Sequence, residues 1–350
     1  MVHTMSFLRT LISSACMVRH TPPPPAGLPP DREVLLDVPD DLLAPVLVSA
    51  AHGEYEHAAK LLAATRDAAE WENRDRYVIR LAVFAKNRDD WLAAWLRAAP
   101  RDPDARLVRA ELAVRRAWES PARAELLRET APLIDAAAAG DPRDPVPWRV
   151  ALDHARGTHA PHTAFETLWE QAVARSSHHY GCHVSALQYL SAHWYGSHRE
   201  CFDFAERAAA DSPPGSLIRA LPVRAAFTLL MSEENRTGGP TPLQGDRIDA
   251  AADLAIELSA GYAAGVPCPA EVRNLLAYVL AERGRWTAAL DQFRLTGPYA
   301  TSFPWICLTD DPLGRFLETR DGVRIQVASA GPARGRTDRA ERGASRGHYA

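Results

Sequence analysis

Eight of the thirteen histidines lie between residues 154 and 198: His154, His159, His162, His178, His179, His183, His193 and His198. Cys182 and Cys201 fall in or beside the same stretch. Imidazole and thiolate are ligands for zinc and related transition metals, so this segment invites a metal reading. His179 and His183 are four apart and would share one face of a continuous helix, and His159-x-x-His162 would add a second pair. Two features oppose it. No Asp or Glu stands at ligand spacing within the His178–His183 run, and Gly181 interrupts that run at what reads as a turn. Histidine also suits helix junctions, where its ring packs and its nitrogens reach loop carbonyls. A structural or groove-lining role is the preferred reading. A metal-binding protein or metal-dependent enzyme built on segment 154–198 is the alternative.

An aromatic set overlaps the histidines: Trp148, Trp169, Tyr180, Tyr189, Trp194 and Tyr195, with Gln188 and His198 among them. Trp148 and Trp169, in apolar company at helical spacing, read as core wedges. Trp194-Tyr195-Gly196-Ser197-His198 differs, because two large rings meet a tight turn and a capping box, Ser197-x-x-Glu200. The plain reading is a corner held by its aromatics. The functional one is a concave surface lined by rings and imidazoles, contacting a peptide or protein partner through His183, Gln188, Trp194, Tyr195 and His198.

Other chemistries find no support. Neither lysine, Lys60 or Lys86, sits in a phosphate-binding loop, and there is no G-x-G-x-x-G, H-E-x-x-H or G-x-S-x-G. No catalytic residue, metal ligand or cofactor is therefore assigned. The net charge of −4 offers no field for nucleic acid, which is not an expected partner. With thirty-eight of the forty basic residues being arginine, acids and guanidinium groups should interleave, favouring local bidentate pairs over long-range attraction. The five cysteines are widely spaced with no C-x-x-C, which points to a reducing cytoplasm. The apolar run Leu42–Ala51, broken by Pro45, is too short to span a bilayer, so no membrane insertion is expected.

The elements that must position these residues are helical almost throughout. Asp102-Pro103 and Asp144-Pro145 each place an N-cap acid ahead of proline. Gly53, Gly157, Gly196 and Gly284 mark stops or turns. Leu107, Ala110, Val114 and Trp118 form one apolar stripe, and Leu187, Leu190 and Trp194 another. Helix pairs should begin near residues 41, 73, 103, 145, 183, 216 and 268. That spacing lies in the period range of stacked helical repeats.

Several second helices open alike: Gly53-Glu54-Tyr55-x-x-Ala58-Ala59, Asp90-Trp91-x-x-Ala94 and Gly284-Arg285-Trp286-x-x-Ala289-Leu290. This pattern resembles the second-helix opening of tetratricopeptide (TPR) repeats, although the first-helix signature is poorly kept. The segments WYGSHRECFDFAERAAADSPPGS (194–216) and AYVLAERGRWTAALDQFRLTGPYATSFPW (277–305) resemble parts of actinobacterial TPR-like proteins of unknown function. The resemblance implies an all-α, irregular TPR-like solenoid of about seven antiparallel helix pairs, and no particular chemistry. The expected organisation is an N-terminal extension with a Pro-rich linker (1–30), a helical-repeat domain (31–320) and a disordered Arg/Gly-rich tail (321–350). The expected function is a non-catalytic, cytoplasmic protein-interaction scaffold.

Overall fold

The computed structural model describes residues 27–232 and 237–330. The expectations for residues 1–26 and 331–350 lie outside the described residues. Among the described residues the structure is all-α apart from one two-residue strand pair. Its first half holds α1 (Leu43–Ala51), α2 (Glu56–Asp67), α3 (Trp71–Ala85), α4 (Asp90–Ala98), α5 (Pro103–Glu119), α6 (Arg123–Ala138), α7 (Val146–Gly157) and α8 (His162–Arg175). The second half holds α9 (Tyr180–Tyr189), α10 (His198–Asp211), α11 (Leu221–Leu230), α12 (Pro242–Ala260), α13 (Pro267–Glu282) and α14 (Trp286–Thr296). A short α15 (Ser302–Trp305) and a long α16 (Pro312–Ala330) follow. Strand β1 (Leu35–Leu36) pairs in parallel with β2 (Tyr299–Ala300).

The caps show why the helices start where they do. Asp102 accepts hydrogen bonds from the Asp104 and Ala105 N–H groups, with Pro103 at the first helical position. Asp144 accepts the Val146 N–H, but α7 begins one residue later than the Asp144-Pro145 pair suggests, with Pro145 itself at the N-cap position. Ser197 Oγ accepts from the Glu200 N–H, while the Glu200 carboxylate accepts a hydrogen bond from the Ser197 hydroxyl rather than from a backbone donor. A full capping box occurs instead at Thr241 and Gln244.

One row of helices runs through the molecule: α3 packs on α5, α5 on α7, α7 on α9, α9 on α11 and α11 on α13. Between neighbours in this row sits a second helix that touches both. Thus α6 contacts α5 and α7, α8 contacts α7 and α9, α10 contacts α9 and α11, and α12 contacts α11 and α13. The repeated openings serve this packing. Tyr55 stacks on Trp95 with ring centroids 5.9 Å apart, and Ala58 and Ala289 are buried where neighbouring helices approach.

Three departures from expectation have physical causes. Helix α9 ends at Tyr189, so Trp194 lies in the following turn and does not continue the Leu187–Leu190 stripe. Gly196 folds that turn back so tightly that a Cβ there would lie 2.2 Å from the Leu190 carbonyl oxygen. The helical region also runs beyond Arg320. Residues 321–330 complete α16, with Val323 buried and Val327 four residues on packed against the same core. Averaging these residues with the arginine-rich sequence that follows hides their apolar face. Finally, Leu28 of the expected linker packs on that core, and Arg320 donates to the Pro29 carbonyl at 3.1 Å.

Candidate functional site

The predicted partner-contact residues occupy two neighbouring places joined by one apolar cluster. That cluster buries Leu152, Phe165, Cys182, Ala186 and Tyr189, with Trp148, Trp169, Tyr195 and Phe204 packed around it. Helix α9 is its spine, and α8 and α10 lie to either side.

The first place is a groove of about 380 Å³ between α8 and α10, crossing over α9. Trp169 and Val173 of α8 line one side and Phe204 and Ala208 of α10 the other, the Trp169 and Phe204 rings meeting edge-on at 5.6 Å. His183 lies at the floor, edge-on to Trp169 at 4.9 Å and 5.9 Å from the Phe204 ring. Its Nδ1 is hydrogen-bonded to the His179 carbonyl at 2.9 Å. Burial lowers its pKa to about 4, so the floor is an uncharged imidazole at neutral pH. His178, Arg207 and Asp211 stand at the rim and give it both signs of charge.

The second place is the turn after α9. Trp194 stands edge-on to Trp118 at 5.4 Å, and the Arg156 guanidinium lies over both indoles, 4.7 Å from Trp118 and 5.2 Å from Trp194. Tyr195 stacks on Tyr189 at 4.6 Å, and its N–H donates to the Tyr189 carbonyl. His159 and His162 pack on the Tyr195 ring at 5.8 and 6.5 Å. His198 opens α10 half-buried, and Gln188 is half-buried near the end of α9. The structure therefore brings His183 to the groove, and places Trp194 and Tyr195 in a corner packed by its own rings, with the buried Tyr195 hydroxyl left without a hydrogen-bond partner among the described residues.

Sequence reasoning missed most of the groove. Trp169, read as a core wedge, is half-buried and forms a wall, and Phe204, Arg207 and Asp211 were not singled out at all. The available signal was Phe204 among small residues, with Ala205, Ala208 and Ala209 narrowing α10 beside it.

The histidine pair at 179 and 183 does not converge. His179 precedes α9 and caps it, its Nδ1 accepting from the Cys182 N–H at 3.3 Å and lying 3.0 Å from Cys182 Sγ. Its other ring nitrogen, Nε2, is 3.9 Å from Asp75 of α3. Gly181 belongs to α9 rather than to a turn, and its missing side chain admits Asp75, which a Cβ would meet at 2.2 Å. Thiol, imidazole and carboxylate follow in the order of a nucleophile, base and orienting acid. All three are buried, however, and burial pushes the Cys182 thiol pKa far up, so the sulfur is neither exposed nor ionised. Among the described residues no three His, Cys, Asp or Glu side chains come together as a metal site.

Buried charge instead knits the helix row. Arg74 donates to Asp104 at 2.6 Å and to Asp144 at 2.7 Å. Arg149 reaches Glu111 at 2.7 Å, Asp75 at 2.9 Å and Asp153 at 3.2 Å. Burial raises the Asp75 pKa to about 6 against the pull of Arg149.

No family model, curated protein or solved structure matches the chain. Among the described residues no helix is long and apolar enough to cross a membrane.

Proposed function

We propose that this chain is a non-catalytic TPR-like helical-repeat scaffold that holds an extended or helical peptide segment of a partner protein. The observation that carries the reading is the groove between α8 and α10, with an aromatic floor and walls and a polar rim. Its size is at the small end of ligand pockets, roughly 300–1,000 Å³, and suits one or two large apolar side chains rather than a whole cofactor. The mixed charge of the rim favours a polar segment carrying such an anchor, with modest salt dependence. The serial packing of α3, α5, α7, α9, α11 and α13 supports the repeat reading, since each pair completes its core on its neighbour. The four described cysteines form no disulfide, in keeping with a reducing cytoplasm.

Selection from a random peptide display library against the purified chain tests this reading. Peptides sharing one large apolar residue should be enriched, and Ala208→Arg, which fills the groove, should abolish the enrichment. Enrichment that survives Ala208→Arg, or no enrichment, would overturn it.

A further inference from the structure

The segment before α1 runs between the two ends of the helix row. Near its start, Asp31 pairs with Arg320 of α16, and the Leu35 N–H donates to the Pro298 carbonyl at 2.7 Å. Near its end, Asp40 caps α1 by accepting from the Leu42 and Leu43 N–H groups and pairs with Arg76 of α3. Between them Asp37 joins both sides at once. Its Oδ1 accepts the Ser302 N–H at 2.9 Å, its Oδ2 the Ser302 hydroxyl at 3.0 Å, and Arg80 of α3 approaches Oδ2 at 3.1 Å. Asp37 does this with φ at +64°, a left-handed conformation that Asp and Asn tolerate better than most residues. An ion-paired residue held in a sparsely populated backbone region is where a functional constraint is sought.

The same contacts flank a polar cluster. Glu72, one turn before Arg76 on α3, accepts the Tyr180 N–H at 2.8 Å. Arg224 of α11 donates to the Tyr180 hydroxyl at 3.2 Å and to Glu271 of α13 at 2.9 Å, and lies 4.3 Å over the ring of Phe303, the neighbour of Ser302. Cys268, near the start of α13, is half-buried; burial pushes its thiol pKa up to about 12, helped by the carboxylates of Glu271 on α13 and Glu72 on α3. It therefore reports on the gap between α3 and α13.

We propose that residues 28–42 form a latch, with Asp37 as its keystone, whose release parts α3 from α13 and α15 and opens the Glu72–Tyr180–Arg224–Glu271 cluster to solvent. Leu28 and buried Val34 anchor the start of the latch on the core. The rest is held by aspartate–arginine pairs and backbone hydrogen bonds around a two-residue strand pair, so the part-exposed Asp37–Arg80 pair is the tie most easily broken.

Peptide-resolved alkylation of the intact chain tests this. Asp37→Asn keeps the left-handed residue and an acceptor for Ser302 but removes the charge facing Arg80, and Arg80→Gln removes the same pair from the other side. Each should raise the alkylation rate of Cys268 about fivefold, the scale of one exposed ion pair. Cys182 and Cys201, buried in the core, should stay protected, and the exposed Cys307 should react as before. An unchanged Cys268 rate in both variants overturns the proposal. So does a parallel rise at Cys182 and Cys201, which would make the segment part of the global core rather than a latch.

Discussion

The His183 ring meets the Trp169 indole edge-on, with centroids 4.9 Å apart, at the floor of a groove that α8 and α10 leave between them. Because His183 is buried as a neutral ring, its pKa falls from 6.5 to about 4. A lowered folded-state pKa contributes stability that is present above pH 6.5 and lost as pH falls through about 4. His183→Phe removes that loss. Thermal melts should show the variant gaining on wild type by up to about 3 kcal/mol between pH 6.5 and 4. A gap between the two that is flat with pH would show that the imidazole is solvated.

Trp169 and Trp95 should differ in what they hold up. Trp95 is 1% exposed and packed between Tyr55 and Trp91, so Trp95→Ala should cost about 3–5 kcal/mol in urea unfolding. Half-buried Trp169 should cost only about 1–2 kcal/mol on truncation. Equal costs would place Trp169 in the core and remove a wall from the groove.

Glu72 carries the opposite pH signature. Burial, reinforced by Asp75, raises its pKa from 4.5 to about 7 despite the Tyr180 N–H. The folded state thus holds its proton more tightly, a contribution present below pH 4.5 and lost as pH rises through 7. Glu72→Gln keeps the acceptor for Tyr180 without the charge. It should gain about 2–3 kcal/mol on wild type between pH 4.5 and 8, read from melts at both ends. No relative gain would mean that the carboxylate is solvated when ionised.

Arg74 holds Asp104 and Asp144 together, with all three side chains buried. Arg74→Met should therefore cost about 3–5 kcal/mol in urea unfolding, because buried Asp144 loses its cation and buried Asp104 keeps only Arg66. Adding Asp104→Asn and Asp144→Asn should recover a large part of that loss. Failure of the triple variant to recover would show that Arg74 acts by shape rather than charge.

These networks explain which parts of the fold were legible. Helix positions follow from local chemistry: Asp102-Pro103 starts α5, and the apolar residues of α5 are buried around most of its circumference. The Asp75–Arg149 and Arg74–Asp144 pairs link residues more than sixty positions apart, so no local pattern announces them. The strand pair between Leu35 and Tyr299 is hidden for the same reason. At the site, sequence reasoning found the histidine- and aromatic-rich region but chose its most conspicuous rings. Trp194 and Tyr195 pack on each other and on their neighbours across the turn, whereas Phe204 and Trp169, on different helices, meet edge-on at 5.6 Å beside the groove, a contact set by helix spacing. Spacing between helices is a tertiary quantity that periodicity within one helix does not contain.

The most direct measurement is the affinity of one display-selected peptide for wild type, Trp169→Ala and Tyr195→Ala, each at low and physiological salt. A groove-bound apolar anchor predicts at least about a tenfold loss with Trp169→Ala, little change with Tyr195→Ala, and only a modest effect of salt. Tight binding that survives Trp169→Ala, is lost with Tyr195→Ala, or falls by orders of magnitude with salt would contradict the assignment of the groove between α8 and α10.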